Sequence, residues 1–137
     1  MATVVLLAAA VALLLRRGVI ANEPITATLQ IAGLLLVLWA RLTFGWRSYH
    51  FAANPTRGPL IKAGPYRYIR NPIYAAVLVV CWSGVSVHLS VANVALAILI
   101  TASLVVKIGC EEKLLRAAYP DYDDYVRKTA RLIPFIL

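Results

Sequence analysis

Two segments of this sequence combine charged, aromatic and turn-forming residues, and each lies beside a long apolar run. The first is Gly64-Pro-Tyr-Arg-Tyr-Ile-Arg-Asn-Pro-Ile-Tyr74, and the second is Glu111-Glu112-Lys-Leu-Leu-Arg-Ala-Ala-Tyr-Pro120. Two closely linked apolar runs separate them. Because two consecutive spanning helices return the chain to the side from which it left, both segments are expected at one membrane face. Carboxylates, cations and tyrosines gathered there could hold a polar ligand at the edge of the lipid.

The second segment begins with two glutamates, which lie four and five residues after Lys107. Lys107 and Glu111 are four residues apart, so they share one face of a helix, whereas Glu112 points about 100° away from Glu111. Two interpretations remain open at this point. Lys107 and Glu111 form either an interfacial ion pair that anchors a helix end, or part of a binding site.

Composition indicates that the solvent for most of this chain is lipid. Apolar residues make up 61% of the 137 positions and the mean hydropathy is +0.77, whereas soluble domains contain about 45–50% apolar residues. The apolar residues occur in blocks, which is typical of membrane spans. The formal net charge is +8, and the basic residues flank the blocks. This favours contact with anionic lipid headgroups over nucleic-acid binding, since no soluble basic face is left.

The apolar blocks predict an all-α integral membrane protein with about four transmembrane helices, at residues 2–15, 26–46, 73–89 and 91–106. The first block is short for a span, which needs about 20 residues. The last two form a predicted tight hairpin. Residues 107–119 are expected to continue the fourth span as a helix, which Pro120 ends before a second short cytoplasmic helix begins at Asp121.

The chain is expected to form a single membrane domain over residues 1–137, with two spans in 1–50 and the core of the site in 51–137. Residues 47–71 are rich in proline and glycine, which predicts a folded-back, non-helical strap. A cleaved signal peptide is the rival interpretation of residues 1–22. It is disfavoured because the charges there follow the apolar run.

The distribution of Lys and Arg predicts a multi-pass topology with a cytoplasmic site. Residues 41–70 and the region from 107 onward carry six each, and the turn at 83–91 carries none, so both basic regions are expected in the cytoplasm. Tyr122 and Tyr125, considered alone, are expected to be interfacial anchors. Six further aromatic residues fall near predicted span ends, as in an interfacial belt: Trp39, Trp46, Tyr49, Tyr66, Tyr68 and Tyr74.

Signatures of several common sites are missing from the sequence. No dinucleotide-binding, P-loop or Ser/His/Asp pattern occurs. Cys81 and Cys110 are predicted at different membrane depths, which disfavours a disulfide and leaves no metal-ligand set. His50 and His88 are expected on opposite faces of the membrane.

Read together, the two segments resemble a known pattern. The order is Gly-x-Tyr-x-x-x-Arg-Asn-Pro-x-Tyr, a two-span hairpin, Glu-Glu-x-x-Leu-x-x-x-Tyr-Pro, and finally Arg-x-Ile-Pro. It is similar to the isoprenylcysteine carboxyl methyltransferase and phospholipid methyltransferase superfamily of integral membrane enzymes. The resemblance covers roughly residues 58–136, and its order and spacing make it more specific than either half alone.

The resemblance implies S-adenosyl-L-methionine as cofactor, bound on the cytoplasmic side, and a lipid substrate that enters from the bilayer. Lys107 falls on a basic residue that contacts substrate in that family, and Arg131 and Pro134 match its tail signature. The positions implied to bind the cofactor are Gly58, Pro59, Leu60, Ile61, Tyr66, Asn71, Pro72, Ile73, Tyr74 and Glu111.

Three residues depart from the family pattern. Asn71 replaces a histidine, so this position can form hydrogen bonds but does not titrate near neutrality. Lys107 replaces an arginine and lacks the planar fork that suits a carboxylate. Ala76 stands where glycine is frequent. The identity of the acceptor is the feature that these departures affect most.

The chemistry favours one acceptor class over another. Methyl transfer to a carboxylate requires in-line positioning and exclusion of water, and Lys107 could orient such an anion. An amine acceptor must first lose a proton, for which Glu112 and Tyr125 are the weak candidate bases. We therefore expect carboxyl O-methylation of an isoprenylcysteine-like, prenylated acceptor, with phosphatidylethanolamine N-methylation as the alternative.

A protein of another class, a small non-catalytic membrane transporter or scaffold, is a further alternative. Carriers usually hold an ionisable residue in the middle of the membrane. The predicted spans carry charges only near their ends, at Arg41 and Lys107, which disfavours this class. The expected partners are membrane lipids and the methyl acceptor, with no nucleic acid and no metal.

Overall fold

A computed structural model describes residues 2–17, 19–20, 23–44 and 60–133 of the chain. This part of the chain is helical, with one isolated parallel β-bridge between Ile69 and Ala130 and no strand. Its elements are α1 (Ala2–Leu15), α2 (Pro24–Phe44), a 3₁₀ turn (Gly64–Arg67), α3 (Pro72–Val87), α4 (Val91–Ala118) and α5 (Tyr122–Lys128).

Local sequence signals explain where these helices begin and end. Pro24 and Pro72 are the first residues of α2 and α3, a position at which the missing N–H costs nothing. Ser90 caps α4, since its side chain accepts a hydrogen bond of 3.1 Å from the backbone N–H of Asn93. This extended cap leaves residues 88–90 outside both helices, so α3 ends two residues earlier than predicted. Pro120 follows the last turn of α4, as predicted.

Two of the helices are long and apolar enough to cross a bilayer. They are α2, with 21 residues, and α4, with 28 residues. The helices α1 and α3 are shorter, with 14 and 16 residues. The prediction of a helical membrane protein is therefore confirmed in its coarser form, with two candidate membrane-spanning helices.

The helices pack through small and aliphatic side chains. The face of α1 that contains Leu13 packs against α4, and a buried cluster joins it to Val85 of α3 and to Ile100 and Leu104 of α4. On the other side of α3 lies α2, where a Cβ on Gly33 would come within 2.8 Å of Val80 Cγ2. Glycine at position 33 therefore allows the close approach of the two helices.

One end of the helix assembly brings together four parts of the chain: the end of α2, the strap, the beginning of α3 and the tail after α5. The backbone N–H of Arg70 donates to the Ala130 carbonyl (2.8 Å), and the Ala130 N–H donates to the Tyr68 carbonyl (2.9 Å). Gly64 lies at φ +56°, and a Cβ there would collide with the side chain of Thr43. A glycine is thus required where the strap turns against α2.

Candidate active site

A carboxylate, a cation and a phenol converge where α3 begins and α4 leaves the apolar core. The Tyr74 hydroxyl donates a 2.7 Å hydrogen bond to Glu111 Oε1, and Lys107 Nζ lies 2.7 Å from the same oxygen. Lys107 Nζ is also 5.9 Å from the centre of the Tyr74 ring, within the range of a cation–π contact. We call these three residues the Glu111 cluster. It contains three of the residues that the sequence predicted for the site.

The Glu111 cluster is shielded but remains accessible. The side chains of Lys107 and Glu111 are 13% and 20% exposed. Among the described residues, no donor is hydrogen-bonded to the second carboxylate oxygen of Glu111, Oε2. An ion pair between Lys107 and Glu111 alone would suit a simple helix anchor. The contact with Tyr74, which comes from a different helix, gives the carboxylate a fixed direction, as a binding site requires.

Glu112 occupies a different environment, although it is the next residue. Arg70 Nε lies 3.1 Å from its Oε1, and Arg131 Nη2 lies 2.8 Å from its Oε2. The side chains of Glu112 and Arg70 are only 7% and 8% exposed. Buried charges are tolerated only when they are paired and hydrogen-bonded, and both oxygens of Glu112 meet this condition. We call this group the Glu112 clamp.

Arg70 extends the Glu112 clamp to the end of α5. Its Nη1 donates to the carbonyl of Val126 (3.0 Å), to the carbonyl of Thr129, and to Thr129 Oγ1 (3.3 Å). The last carbonyls of a helix lack intrahelical partners, and a cation there is favourable. One guanidinium therefore joins the strap, α4 and the end of α5.

Three tyrosines seal this end of the molecule. The Tyr125 hydroxyl donates a 2.6 Å hydrogen bond to the Tyr66 carbonyl, and the Tyr122 and Tyr125 rings meet edge to face at 6.0 Å. The prediction that Tyr122 and Tyr125 are interfacial anchors is wrong, because they are only 1% and 6% exposed. They fill the space between α5, the strap and the side chain of Arg116, which lies over the Tyr122 ring.

Burial also keeps these tyrosines protonated. It raises the pKa of Tyr66 to about 12, against the opposing positive charge of Arg41. Burial, followed by the nearby charge of Glu112, raises the pKa of Tyr122 to about 12. The pKa of Tyr125 is raised in the same way by burial. All three phenols are therefore neutral hydrogen-bond donors at physiological pH.

Asn71 lies between the Glu111 cluster and the tail. Its side-chain amide and its backbone N–H both donate to the Arg131 carbonyl, each at 3.2 Å. Pro72 is buried at the first position of α3, and Ile73 is half-buried beside it. Asn71 thus joins the beginning of α3 to the tail.

The strap is only partly described. Leu60 and Ile61 are half-buried and non-helical, as predicted. Gly58, Pro59, Trp46, Tyr49 and Pro134 lie outside the described residues.

Two aspects of this region were missed by reasoning from the sequence. Arg70 and Arg131 matched the family motif, but nothing in their spacing indicated that both would bind Glu112. The sequence also gave no sign that the charge of Arg41, near the end of α2, acts on Tyr66 in the strap. Neither relation follows a periodic pattern, because each depends on how distant segments pack.

Among the described residues, no group of three or more His, Cys, Asp or Glu side chains could hold a metal ion.

The chain is similar to a known protein family and to two curated proteins. Residues 23–122 match the family model described as phospholipid methyltransferase. The chain is 28% identical over 112 residues to the nickel-cobalt-cadmium resistance protein NccN of Alcaligenes xylosoxydans xylosoxydans, covering 80% of this chain and 52% of that protein. It is 25% identical over 113 residues to the cobalt-zinc-cadmium resistance protein CzcN of Cupriavidus metallidurans, covering 82% of this chain and 50% of that protein.

The chain therefore spans about half the length of these two curated relatives. No solved structure matches it. The family model covers most of the chain, including the strap, the beginning of α3 and both glutamates of α4. The resemblance read from the motifs is thereby confirmed, and the chain belongs to the phospholipid methyltransferase family, within the superfamily of integral membrane methyltransferases.

Proposed function

We propose that this protein transfers a methyl group from S-adenosyl-L-methionine to a lipid-like acceptor held in the bilayer. The observation that carries the proposal is the Glu111 cluster. It lies where the two halves of the motif meet and where a helix of membrane-spanning length passes into polar surroundings. The family supports the reaction class, and the contacts of the Glu111 cluster support the proposed choice of residues.

The residues present fit the proposed cofactor. Its amino-acid part carries an ammonium group, for which a carboxylate such as Glu111 is a suitable charge-assisted acceptor. Tyr74 holds Glu111 Oε1 in place, and Tyr66, which is buried, is proposed to contact the cofactor from the strap. Leu60 and Ile61, together with Gly58 and Pro59 outside the described residues, are the strap positions proposed to contact the cofactor. The cofactor supplies an already activated methyl group, so the protein needs to orient it and exclude water.

The shared oxygen of Glu111 suggests how Lys107 becomes available to the acceptor. Lys107 and Tyr74 both contact Oε1. When the cofactor ammonium group binds Glu111, the two cations share one negative charge. The ion pair between Lys107 and Glu111 is then weaker. Lys107 has a flexible stem and a compact charge, so it can turn toward an anionic acceptor. Cofactor binding would thus prepare the acceptor site.

This arrangement favours a carboxylate acceptor, such as that of an isoprenylcysteine. An amine acceptor must lose a proton before it can be methylated. Both carboxylate oxygens of Glu112 are bound by arginines, so neither is available to contact a substrate amine. The phenol of Tyr125 is a buried donor. Phosphatidylethanolamine N-methylation remains the second candidate, because the description of the matching family favours it.

The test is methyl transfer by the purified protein in lipid nanodiscs, with a radiolabelled methyl group on the cofactor. A farnesylated cysteine with a free carboxylate and phosphatidylethanolamine are offered separately. We expect saturable cofactor binding and base-labile label on the farnesylcysteine, with less label for Glu111→Ala at cofactor concentrations that do not saturate this variant. Label on phosphatidylethanolamine alone would select the second candidate. No saturable binding at millimolar cofactor would overturn the proposal and favour a non-catalytic transporter or scaffold.

We further propose that the strap and tail face the cytoplasm, since twelve of the fourteen Lys and Arg residues lie in residues 41–70 and from 107 onward. Lys128→Cys, in a variant without Cys81 and Cys110, should resist a membrane-impermeant thiol reagent in intact cells and react after permeabilisation. Position 128 is exposed, so protection reflects sidedness. Efficient labelling of intact cells would contradict this topology.

A further inference from the structure

The Glu112 clamp needs an explanation beyond stability. Two arginines and a glutamate meet with Glu112 and Arg70 almost fully buried. Removing charges from water is costly, and well-packed apolar residues often stabilise a protein as well as a buried ion pair does. Such groups are sometimes retained because they specify one arrangement of the chain. The question is which arrangement this clamp specifies.

The position of Glu112 on α4 indicates which arrangement of the chain the Glu112 clamp specifies. Successive helical residues point about 100° apart, so a fixed Glu112 side chain fixes the rotation of that turn about the helix axis. Glu111 is then directed at Tyr74, whose hydroxyl it meets at 2.7 Å. Without the Glu112 clamp, this turn of α4 could rotate or fray. Glu111 would then no longer point at Tyr74, although neither residue had been changed.

Arg70 controls the other half of this contact. It lies four residues before Tyr74 and two before Pro72, the first residue of α3. Its backbone N–H is bonded to Ala130, and its guanidinium binds both Glu112 and the last carbonyls of α5. The beginning of α3 and the exit of α4 are therefore held by one side chain.

We propose that Arg70 and Glu112 are positioning residues, which set the direction of Glu111 and so the affinity of the site for the cofactor. The inference rests on the proposed function, since it assigns the cofactor to Glu111. It gives Glu112 a role other than that of a base, and it gives Arg70 a role that its motif match alone did not define.

The chain contains a matched control for this role. Arg116 Nε and Asp123 Oδ1 form a 2.7 Å ion pair that also joins α4 to α5, but their side chains are 51% and 62% exposed. An exposed pair of this kind contributes little. Asp123→Asn therefore removes an ion pair between the same two helices without touching the Glu112 clamp.

The experiment measures S-adenosyl-L-methionine affinity by calorimetry, at a temperature where thermal unfolding shows every variant to be folded. We expect Glu112→Gln and Arg70→Lys each to weaken binding on the order of tenfold, and Asp123→Asn to leave it unchanged. Glu112→Gln is then introduced into the Glu111→Ala variant, and the cofactor affinity of the double variant is compared with that of Glu111→Ala alone. Because Glu112 acts through Glu111, the further loss there should be less than about twofold.

Several results would overturn this assignment. Normal cofactor binding by folded Glu112→Gln would show that the direction of Glu111 does not depend on the clamp. A full tenfold loss in the Glu111→Ala background would show that Glu112 acts by another route. If Glu112→Gln does not fold, Arg131→Gln replaces it, since Arg131 is half-exposed, and unchanged affinity there counts against the proposal. Failure of the unmodified protein to bind would instead overturn the proposed function itself.

Discussion

Glu111 and Glu112 are adjacent in the sequence, but they belong to two different regions of the molecule. Glu111 is 20% exposed and is bound by a lysine and a phenol. Glu112 is 7% exposed and is bound by two arginines. The two side chains point about 100° apart on α4. Glu111 faces the place where α4 leaves the apolar core, and Glu112 faces the contact of α4 with the strap and the tail. Two identical side chains thereby acquire different environments.

The partners of each glutamate match the role that we propose for it. Arginine presents several donors in a planar fork and suits a permanent, buried pair, whereas lysine is a compact charge on a flexible stem. Glu112 is therefore suited to hold segments of the chain together. Glu111 is paired in a way that a ligand cation can alter. Each of the following predictions tests one side of this contrast.

The largest expected effect is on stability, from Glu112→Ala. This change leaves the buried guanidinium of Arg70 without its carboxylate, and removing one partner of a buried pair costs about 3–5 kcal/mol in the free energy of unfolding. Thermal unfolding in detergent should show a large decrease in midpoint. Asp123→Asn, which breaks an exposed pair, should change the midpoint little. Equal midpoints for the two variants would contradict the distinction between the clamp and the surface pair.

Glu111→Ala should have the opposite profile, with a large effect on binding and a small one on stability. Loss of a charge-assisted hydrogen bond to the cofactor should weaken its binding by about 1.5–3 kcal/mol, on the order of 10–150-fold. Calorimetry measures this directly. If the variant binds the cofactor as the unmodified protein does, the Glu111 cluster is only an interfacial anchor.

Tyr74→Phe should have a smaller effect in the same direction. It retains the ring but removes the 2.7 Å hydrogen bond to Glu111, so the carboxylate loses its contact with α3. We expect cofactor affinity to fall by about 1 kcal/mol, roughly fivefold. Tyr68→Phe is the matched control, since Tyr68 is 57% exposed. Equal losses in both variants would show that the hydroxyl of Tyr74 has no special role.

The smallest change in cofactor affinity is expected for Lys107→Ala, because Lys107 is assigned to the acceptor. Affinity should remain nearly unchanged, while turnover of a carboxylate acceptor decreases. Steady-state kinetics with farnesylcysteine should show the loss, and calorimetry should show normal cofactor binding. A loss of cofactor affinity as large as that of Glu111→Ala would mean that Lys107 and Glu111 do not have separate roles in binding the acceptor and the cofactor.

The sequence predicted the helices well because the signals for them are local. The apolar runs place the helix ends within about two residues, and Pro120 follows the end of α4 as predicted. The family motif also brought Tyr74, Lys107 and Glu111 together, because their order and spacing are characteristic.

What the sequence did not predict depends on packing between distant segments. The contacts of Arg70 with Val126 and Thr129 join residues 56 and 59 positions apart. Tyr122 and Tyr125 read as interfacial anchors because aromatic residues near span ends usually face the interface. Only the position of α5 against the strap shows that they are buried. The division of tasks between the two glutamates has the same origin, since helical phase alone does not reveal what lies beside each face.

The most direct test of the contrast compares Glu111→Gln with Glu112→Gln, which keep size and remove only the charge. Cofactor affinity and the unfolding midpoint are measured for both in the same detergent. We predict that Glu111→Gln has the larger loss of affinity with nearly normal stability, and that Glu112→Gln has the larger loss of stability with a smaller loss of affinity. Equal profiles for the two variants, or the reverse order, would contradict it.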